Sequence, residues 1–323
     1  MAVTAAVTVD AAGAQMGGAA RFLVELRGYL ERTGREDVEI IGLRRRVRPG
    51  WLVRRELSSQ ARSRRVALNN VGFVTPGGPR WTLLRNPLHF LTEGEQARLD
   101  PDVRATIRRK AAVVHLAARS SDVIVAPSTA MTERIATVRP DLSSRVVVRP
   151  HPVSVPSTPR LPGDPVILCP VLFAPHKQML RLLTELLTAV GDLQDPSVRV
   201  WMTADAAEVP AAIACHPQLE LVGRLPHSEL RDLQAHSRAI YFPTDLESFG
   251  YPLAEARVSG LPVIARDIAL NREIAGPALC GYTLGDPDSL RRAVEVALTV
   301  DIAPDPGPFD PDRYFGWLLG QPR

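Results

Sequence analysis

The sequence predicts an α/β protein of two Rossmann-like domains facing each other across a cleft. Three observations carry this. The chain has 323 residues, more than one hydrophobic core usually supports, so two domains of about 150 residues are the natural division. The second half alternates apolar runs with helical periods, the rhythm of a parallel doubly wound sheet. Between the halves stand Pro150, Pro152, Pro156, Pro159, Pro162 and Pro165, a cluster that continues neither a helix nor a central strand and reads as a hinge. The expected division is an N-terminal Rossmann-like domain over 1–150, a C-terminal Rossmann-like domain over 151–304, and a tail over 305–323 that packs back on the first domain.

In the first domain, Val3–Val9 reads as a buried strand, Gly17-Gly18 as the opening of a helix through about Arg32, and Val38–Ile41 as a strand. Residues 42–80 are arginine-rich and poorly periodic. Strand Trp81–Leu84, helix Asp102–Ser120, strand Asp122–Ala126, a Ser128-capped helix to about Thr137 and strand Arg145–Val148 follow. In the second domain the expected order is strand Val166–Val171, helix Lys177–Val190, strand Val198–Met202, helix Ala206–Cys215, strand Leu219–Val222, and helix His227–His236 with Leu230 and Leu233 inward. Strand Ala239–Phe242, helix Tyr251–Ser259, strand Pro262–Ala265, a short helix near Asn271, strand Tyr282–Leu284 and helix Asp288–Leu298 complete it.

Composition narrows the function. Hydrophobic residues make up 45% and charged residues 23%, a globular balance. The sequence has no apolar run of 18 residues and no basic start of the signal-peptide kind. Three cysteines, Cys169, Cys215 and Cys280, form neither a disulfide framework nor a metal cluster, so no metal site is expected and a cytoplasmic setting is the simplest. Residues 1–150 carry a net charge of +11 and residues 151–323 a net −7. The basic half suits a solvated surface, an anionic acceptor, peripheral contact with an acidic membrane, or nucleic acid.

The chemistry concentrates in Glu247-Ser248-Phe249-Gly250-Tyr251-Pro252-Leu253-Ala254-Glu255. It reads as loop then helix. Gly250 lets the backbone approach a ligand, Pro252 suits the first helical turn, and the free N–H groups of that turn make an anion site suited to a diphosphate. Glu247 sits at the loop edge and Glu255 within the helix eight residues on, roughly 12 Å apart along the axis at about 1.5 Å per residue. One carboxylate then reaches the sugar end of a nucleotide-sugar while the other reaches ribose hydroxyls, as in dinucleotide enzymes. A pair of solvated surface glutamates is the plainer reading of the spacing alone.

This segment resembles the E-x7-E signature of the GT-B-fold retaining glycosyltransferases of group 1 (family 4). The resemblance implies that Glu247 faces the donor sugar, that Glu255 binds ribose, and that the segment Ser248, Phe249, Gly250 and Tyr251 holds the diphosphate and sugar through backbone amides. It also implies a C-terminal helix crossing back to the N-terminal domain. Gly17 and Gly18 match the glycine-rich loop of such enzymes near the diphosphate. His176 and Lys177 match their phosphate-binding position. Leu172 stands where the family has a second cation, and Arg181, Arg224 or His176 are the candidates to replace it. His89, after a first-domain strand, is a candidate for contact with sugar or acceptor, a buried structural role being the alternative.

The implied activity is retaining hexosyl transfer from a UDP- or GDP-sugar to a small or anionic acceptor in natural-product or glycoconjugate biosynthesis. The nucleotide-sugar is a co-substrate, and neither cofactor nor metal is expected. Glu247, Lys177 and His89 are the catalytic candidates. Two other classes stay open: a nucleotide-sugar epimerase or phosphorylase of the same fold, and a non-catalytic nucleotide-sugar-binding protein. A nucleic-acid partner is not expected; it would show steep salt dependence and indifference to Glu255→Ala.

Overall fold

The computed structural model describes residues 6–58, 63–156, 164–170, 179–244 and 246–320. The chain divides into two compact units: residues 1–153 with 247–249 and 309–323, and residues 154–246 with 250–308. The first crossing between units lies between Val153 and Ser154, inside the proline cluster.

In the first unit, β1 (Val7–Asp10), α1 (Gly17–Thr33), β2 (Val38–Ile41), α2 (Pro49–Ser58), β3 (Arg64–Ala67), β4 (Arg80–Leu83), α3 (Glu93–Ala97), α4 (Pro101–Ala118), β5 (Val123–Ala126), α5 (Thr129–Val138) and β6 (Val146–Val148) follow in order. All sheet pairs are parallel, in the order β2-β1-β3-β4-β5-β6. This is the flavodoxin-like order, with its topological switch between β1 and β3. Residues 42–80 are more regular than their sequence suggests, because they hold α2 and β3. Their pattern is hidden since each buries an arginine, Arg55 and Arg65, both about 1% exposed.

The tail helix Pro311–Leu319 belongs to this unit. Phe315 packs on Phe22 and Tyr29 of α1, with ring centroids 5.4 and 5.3 Å apart, and Trp317 lies edge-on to Trp81 at 4.9 Å. Arg64 and Arg35 donate to the helix's closing carbonyls, Leu318 and Gly320. This is the favourable pairing of cations with a helix C-terminus.

The second unit runs β7 (Val166–Cys169), α6 (Met179–Gly191), β8 (Arg199–Met202), α7 (Ala211–Ala214), β9 (Leu219–Leu221), α8 (His227–His236), β10 (Ala239–Phe242), α9 (Tyr251–Ser259), β11 (Val263–Arg266), α10 (Ala269–Ala275), β12 (Leu279–Tyr282) and α11 (Pro287–Thr299). Its parallel sheet has the order β12-β11-β10-β7-β8-β9, the Rossmann order. Its core joins α6 and α11 to the sheet through Leu183, Leu186, Val200, Tyr241, Ile264 and Val294.

Three expectations are corrected in this unit. The last strand is Leu279–Tyr282, not Tyr282–Leu284. Its register is set by Val263 opposite Leu279, and a Cβ on Gly281 would stand 3.1 Å from the Asp267 side chain, so glycine marks the strand's interior there. Ala206–Cys215 is a short 3-10 turn followed by a single helical turn rather than one helix, because Pro210 stands between them. On α8, Leu230 and Leu233 are only half-buried, and the buried position is Gln234.

Candidate functional site

In the second unit β7 and β10 are neighbours, and the chain winds away from them in opposite directions. Ligand crevices of open α/β sheets form at the carboxyl ends of such a pair. The chain leaving β10 runs through Pro243–Phe249 into α9. Gly250 is the N-cap of α9, with φ 79° and ψ 78°, in the left-handed region that favours glycine. A Cβ here would lie 2.9 Å from Leu253 Cδ1 and 3.2 Å from Phe242 Cζ. Gly250 itself offers no side-chain cap, and Pro252 sits in the first turn. The N–H groups of such a first turn are of the kind that binds anions. Gly260 (φ 66°) closes the helix in the left-handed region, and a Cβ there would clash with Ile302 O.

Glu255 is the fifth residue of α9 and is 7% exposed. Gln234 Nε2 of α8 donates to its Oε2 at 3.2 Å. A buried carboxylate demands partners, which explains why a glutamine occupies the buried position of α8. Gln234 escaped the sequence reading because a polar residue interrupts the leucine period. That interruption is itself the signal that could have found it.

Glu247, Ser248 and Phe249 belong to the first unit. Ser248 Oγ donates to Arg85 O at 2.6 Å, and Ser248 O accepts from Ser128 Oγ at 2.7 Å. Phe249 packs edge-on to His151 at 5.0 Å and to Phe309 at 5.9 Å. His151 also meets Phe22 and Tyr314. Burial, with a smaller contribution from Arg85, holds the His151 imidazole well below its usual pKa and keeps it neutral. The helix begins at Tyr251, as the loop-then-helix reading of the segment expects, so Glu247 stands outside it and the separation of roughly 12 Å along one helix axis does not apply.

The other predicted site residues are placed as follows. Gly17 (φ 57°) and Gly18 open α1, whose N-cap Met16 makes no side-chain capping bond. His89 lies in the 3-10 turn Pro87–Phe90, where its carbonyl takes a 2.8 Å hydrogen bond from His115 Nε2. Its Nδ1 is buried without a hydrogen-bond partner among the described residues. Burial first, then His115 and Lys110, lower its pKa to about 4. Arg181 pairs with Glu185 one turn on, at 3.5 Å, and Arg224 pairs with Glu208. Leu172, His176 and Lys177 lie outside the described residues.

At the switch between β1 and β3 the first unit carries a network the sequence reading missed. Asp10, fully buried, accepts from Arg55 Nη1 (2.6 Å), Asn69 Nδ2 (2.7 Å), Ala12 N (3.0 Å) and Trp51 Nε1 (3.1 Å). Arg55 also donates to Gly72 O at 2.6 Å and lies over Phe73. The pair fixes α2 to the end of β1. The next residue, Asn70 (φ 67°), accepts from Arg85 N and Asn86 N, linking β3 to the chain leaving β4.

Comparison with known proteins agrees with this architecture. Residues 212–302, which hold α8, α9 and Gly250, match the family model of the glycosyl transferases group 1. Over 84 residues, 25% of the chain, the sequence is 38% identical to the serotype-specific mannosyltransferase WbdA of Escherichia coli, and the match spans 10% of that protein. HepE of Anabaena, solved with UDP and glucose, superposes with a TM-score of 0.65 at 14% identity, covering 91% of this chain and 90% of that one. Sucrose-phosphate synthase of Thermosynechococcus elongatus gives 0.62 at 14% identity over 98% and 94%. WaaG, a glycosyltransferase of lipopolysaccharide biosynthesis, gives 0.62 at 13% over 97% and 100%. The chain has the fold of the GT-B glycosyltransferases, and its residues 212–302 match the family model of the glycosyl transferases group 1.

Proposed function

We propose that this protein is a hexosyltransferase that moves a sugar from a nucleotide-diphosphate sugar, UDP- or GDP-linked, to a small or anionic acceptor in natural-product or glycoconjugate assembly. The observation that carries the reading is Glu255. It is a buried carboxylate held by Gln234, one turn inside a helix whose N-terminus starts at left-handed Gly250. That combination suits a ribose and a diphosphate on one ligand. The group 1 match over the same residues supports it, as does the UDP and glucose in the HepE structure.

In this reading the amides at Gly250 and Tyr251, with Lys177 and His176, stabilise the departing diphosphate. Glu247 contacts the donor sugar, and Glu255 the ribose. Gly17 and Gly18 border the diphosphate and acceptor, with His89 a further contact. Transfer retains the anomeric configuration, with attack from the leaving-group face and the departing phosphate taking the acceptor proton. It needs no metal, and it takes place in the cytoplasm.

The test is a thermal-shift series with UDP-, GDP-, ADP- and dTDP-sugars. One donor should stabilise the protein, and Glu255→Ala should abolish that shift while the unliganded protein still melts cooperatively. No shift with any donor, or a shift indifferent to Glu255→Ala, overturns the reading. Product of inverted configuration by NMR overturns the retaining mechanism.

A further inference from the structure

Four aromatic residues and a histidine of the first unit meet in one buried knot. Phe22 of α1 packs edge-on to Tyr314 of the tail helix at 5.6 Å and to His151 at 5.2 Å. His151 reaches Phe249 at 5.0 Å, and Phe249 reaches Phe309 at 5.9 Å. None of the five exceeds 3% exposure. Val153 N donates to Phe309 O at 2.9 Å, which ties the chain around His151 to the start of the tail.

The knot gathers the points where the chain leaves and re-enters this unit. Val153 is the last residue before Ser154, Phe249 the last before Gly250, and Phe309 the first after Pro308. Phe249 matters most because of its neighbour. Gly250 O accepts from Leu253 N at 3.0 Å and from Ala254 N at 3.4 Å, so the first turn of α9 closes on Gly250. Ser248 is tied by hydrogen bonds to Arg85 O and Ser128 Oγ, whereas Phe249 is gripped by rings.

We propose that His151 is a positioning residue for donor binding: its ring holds Phe249, and through Phe249 it sets the backbone of Gly250, where the first turn of α9 begins. The donor half of this inference rests on the nucleotide-sugar reading above; the ordering of the turn does not. Burial, with a smaller contribution from Arg85, keeps the imidazole neutral, so it packs as an aromatic edge and not as a cation. The Arg85 guanidinium already lies 5.4 Å from the centre of the Phe22 ring. A charged imidazole would set a second cation against that ring.

Two measurements on the full chain test this. The first is amide hydrogen exchange at Leu253 and Ala254, whose N–H groups bind Gly250 O. The second is calorimetric titration with UDP-glucose and GDP-mannose, below the melting temperature of every variant. His151→Ala should speed exchange at both amides and weaken donor affinity, each about tenfold, the equivalent of one lost edge-to-face pair at its strongest. His151→Phe keeps an aromatic edge and should restore both to within about twofold of wild type. Phe249→Leu attacks the same contact from its other side and decides the matter if the alanine variant does not fold. Leu142→Ala truncates the separate core cluster around Leu84, Phe90 and Ile135; it should lower the melting temperature and move neither readout. A His151→Ala or Phe249→Leu protein that behaves like Leu142→Ala overturns the proposal, and so does a phenylalanine variant that restores nothing. If the wild-type chain binds neither nucleotide-sugar, the donor reading falls, and exchange at Leu253 and Ala254 still decides whether His151 orders the turn.

Discussion

The hydroxyl of Ser128 donates to the carbonyl of Ser248 at 2.7 Å while accepting from Met131 N at 3.1 Å, so one buried side chain both caps α5 and anchors a segment 120 residues away. Ser128→Ala removes the cap, costing about 1 kcal/mol, and leaves a buried carbonyl unsatisfied for a further 1–3 kcal/mol or so. Urea denaturation should show a loss of roughly 2–4 kcal/mol by those two contributions. Ser248→Ala, which deprives only Arg85 O of its donor, should cost about 1–3 kcal/mol.

Gly250 is the second point of leverage. Alanine there must hold φ near 79° and bring its Cβ to 2.9 Å from Leu253 Cδ1. The strain is on the order of 1–3 kcal/mol. Gly250→Ala should lower the melting temperature and, because α9 starts at this residue, should remove donor-induced stabilisation as well. A variant that melts normally and keeps its full donor shift would show that this backbone geometry is not required for binding.

The Asp10–Arg55 pair is buried on both sides, with side chains 0% and 1% exposed. Breaking one half of such a pair leaves an uncompensated charge and costs about 3–5 kcal/mol. Arg55→Met should therefore be strongly destabilising. Val53→Ser, two residues away and facing solvent, should fall within about 0.5 kcal/mol of wild type. Equilibrium denaturation of the two proteins side by side checks the contrast.

Acid should destabilise the chain before its carboxylates titrate. His89 is held at about 4 against an ordinary 6.5, mainly by burial. Between those values the unfolded chain binds a proton that the native one refuses, so stability falls as pH drops from 6.5 toward 4. His115 and His151 are shifted in the same direction. The urea midpoint should drop between pH 7.5 and pH 5, and His89→Gln should flatten part of that slope while leaving the rest to the other two histidines.

What the sequence revealed follows physical lines. Strands such as Ala239–Phe242, buried at every position, and α9 between Gly250 and Gly260 were legible because apolar runs and glycine punctuation are local signals. Arg55, Asp10 and Asn69 were not, because a buried polar network satisfies itself between residues 41 and 59 positions apart and breaks the hydrophobic period that local reading relies on. Within the E-x7-E segment, Gly250 is legible as a backbone position, but the anchoring of Ser248 depends on Ser128 and Arg85. No spacing within the segment encodes those partners.

Gln234 offers the sharpest separation of folding from binding. Its amide donates to Glu255 at 3.2 Å from a helix whose other inward positions are only half-buried. Gln234→Leu keeps the volume and the apolar packing but withdraws that donor, so the unliganded protein should lose only about 1 kcal/mol. The carboxylate would then lose that orienting contact, and donor affinity should weaken by roughly 10- to 100-fold, the equivalent of one lost hydrogen bond to a charged group at about 1.5–3 kcal/mol. Gln234→Glu places a second carboxylate against the first, and should cost more in both respects. Thermal shifts at matched donor concentration, set against the melting temperature without donor, distinguish the two effects. A Leu variant whose donor shift equals that of wild type would show that Glu255 is oriented by its other contacts.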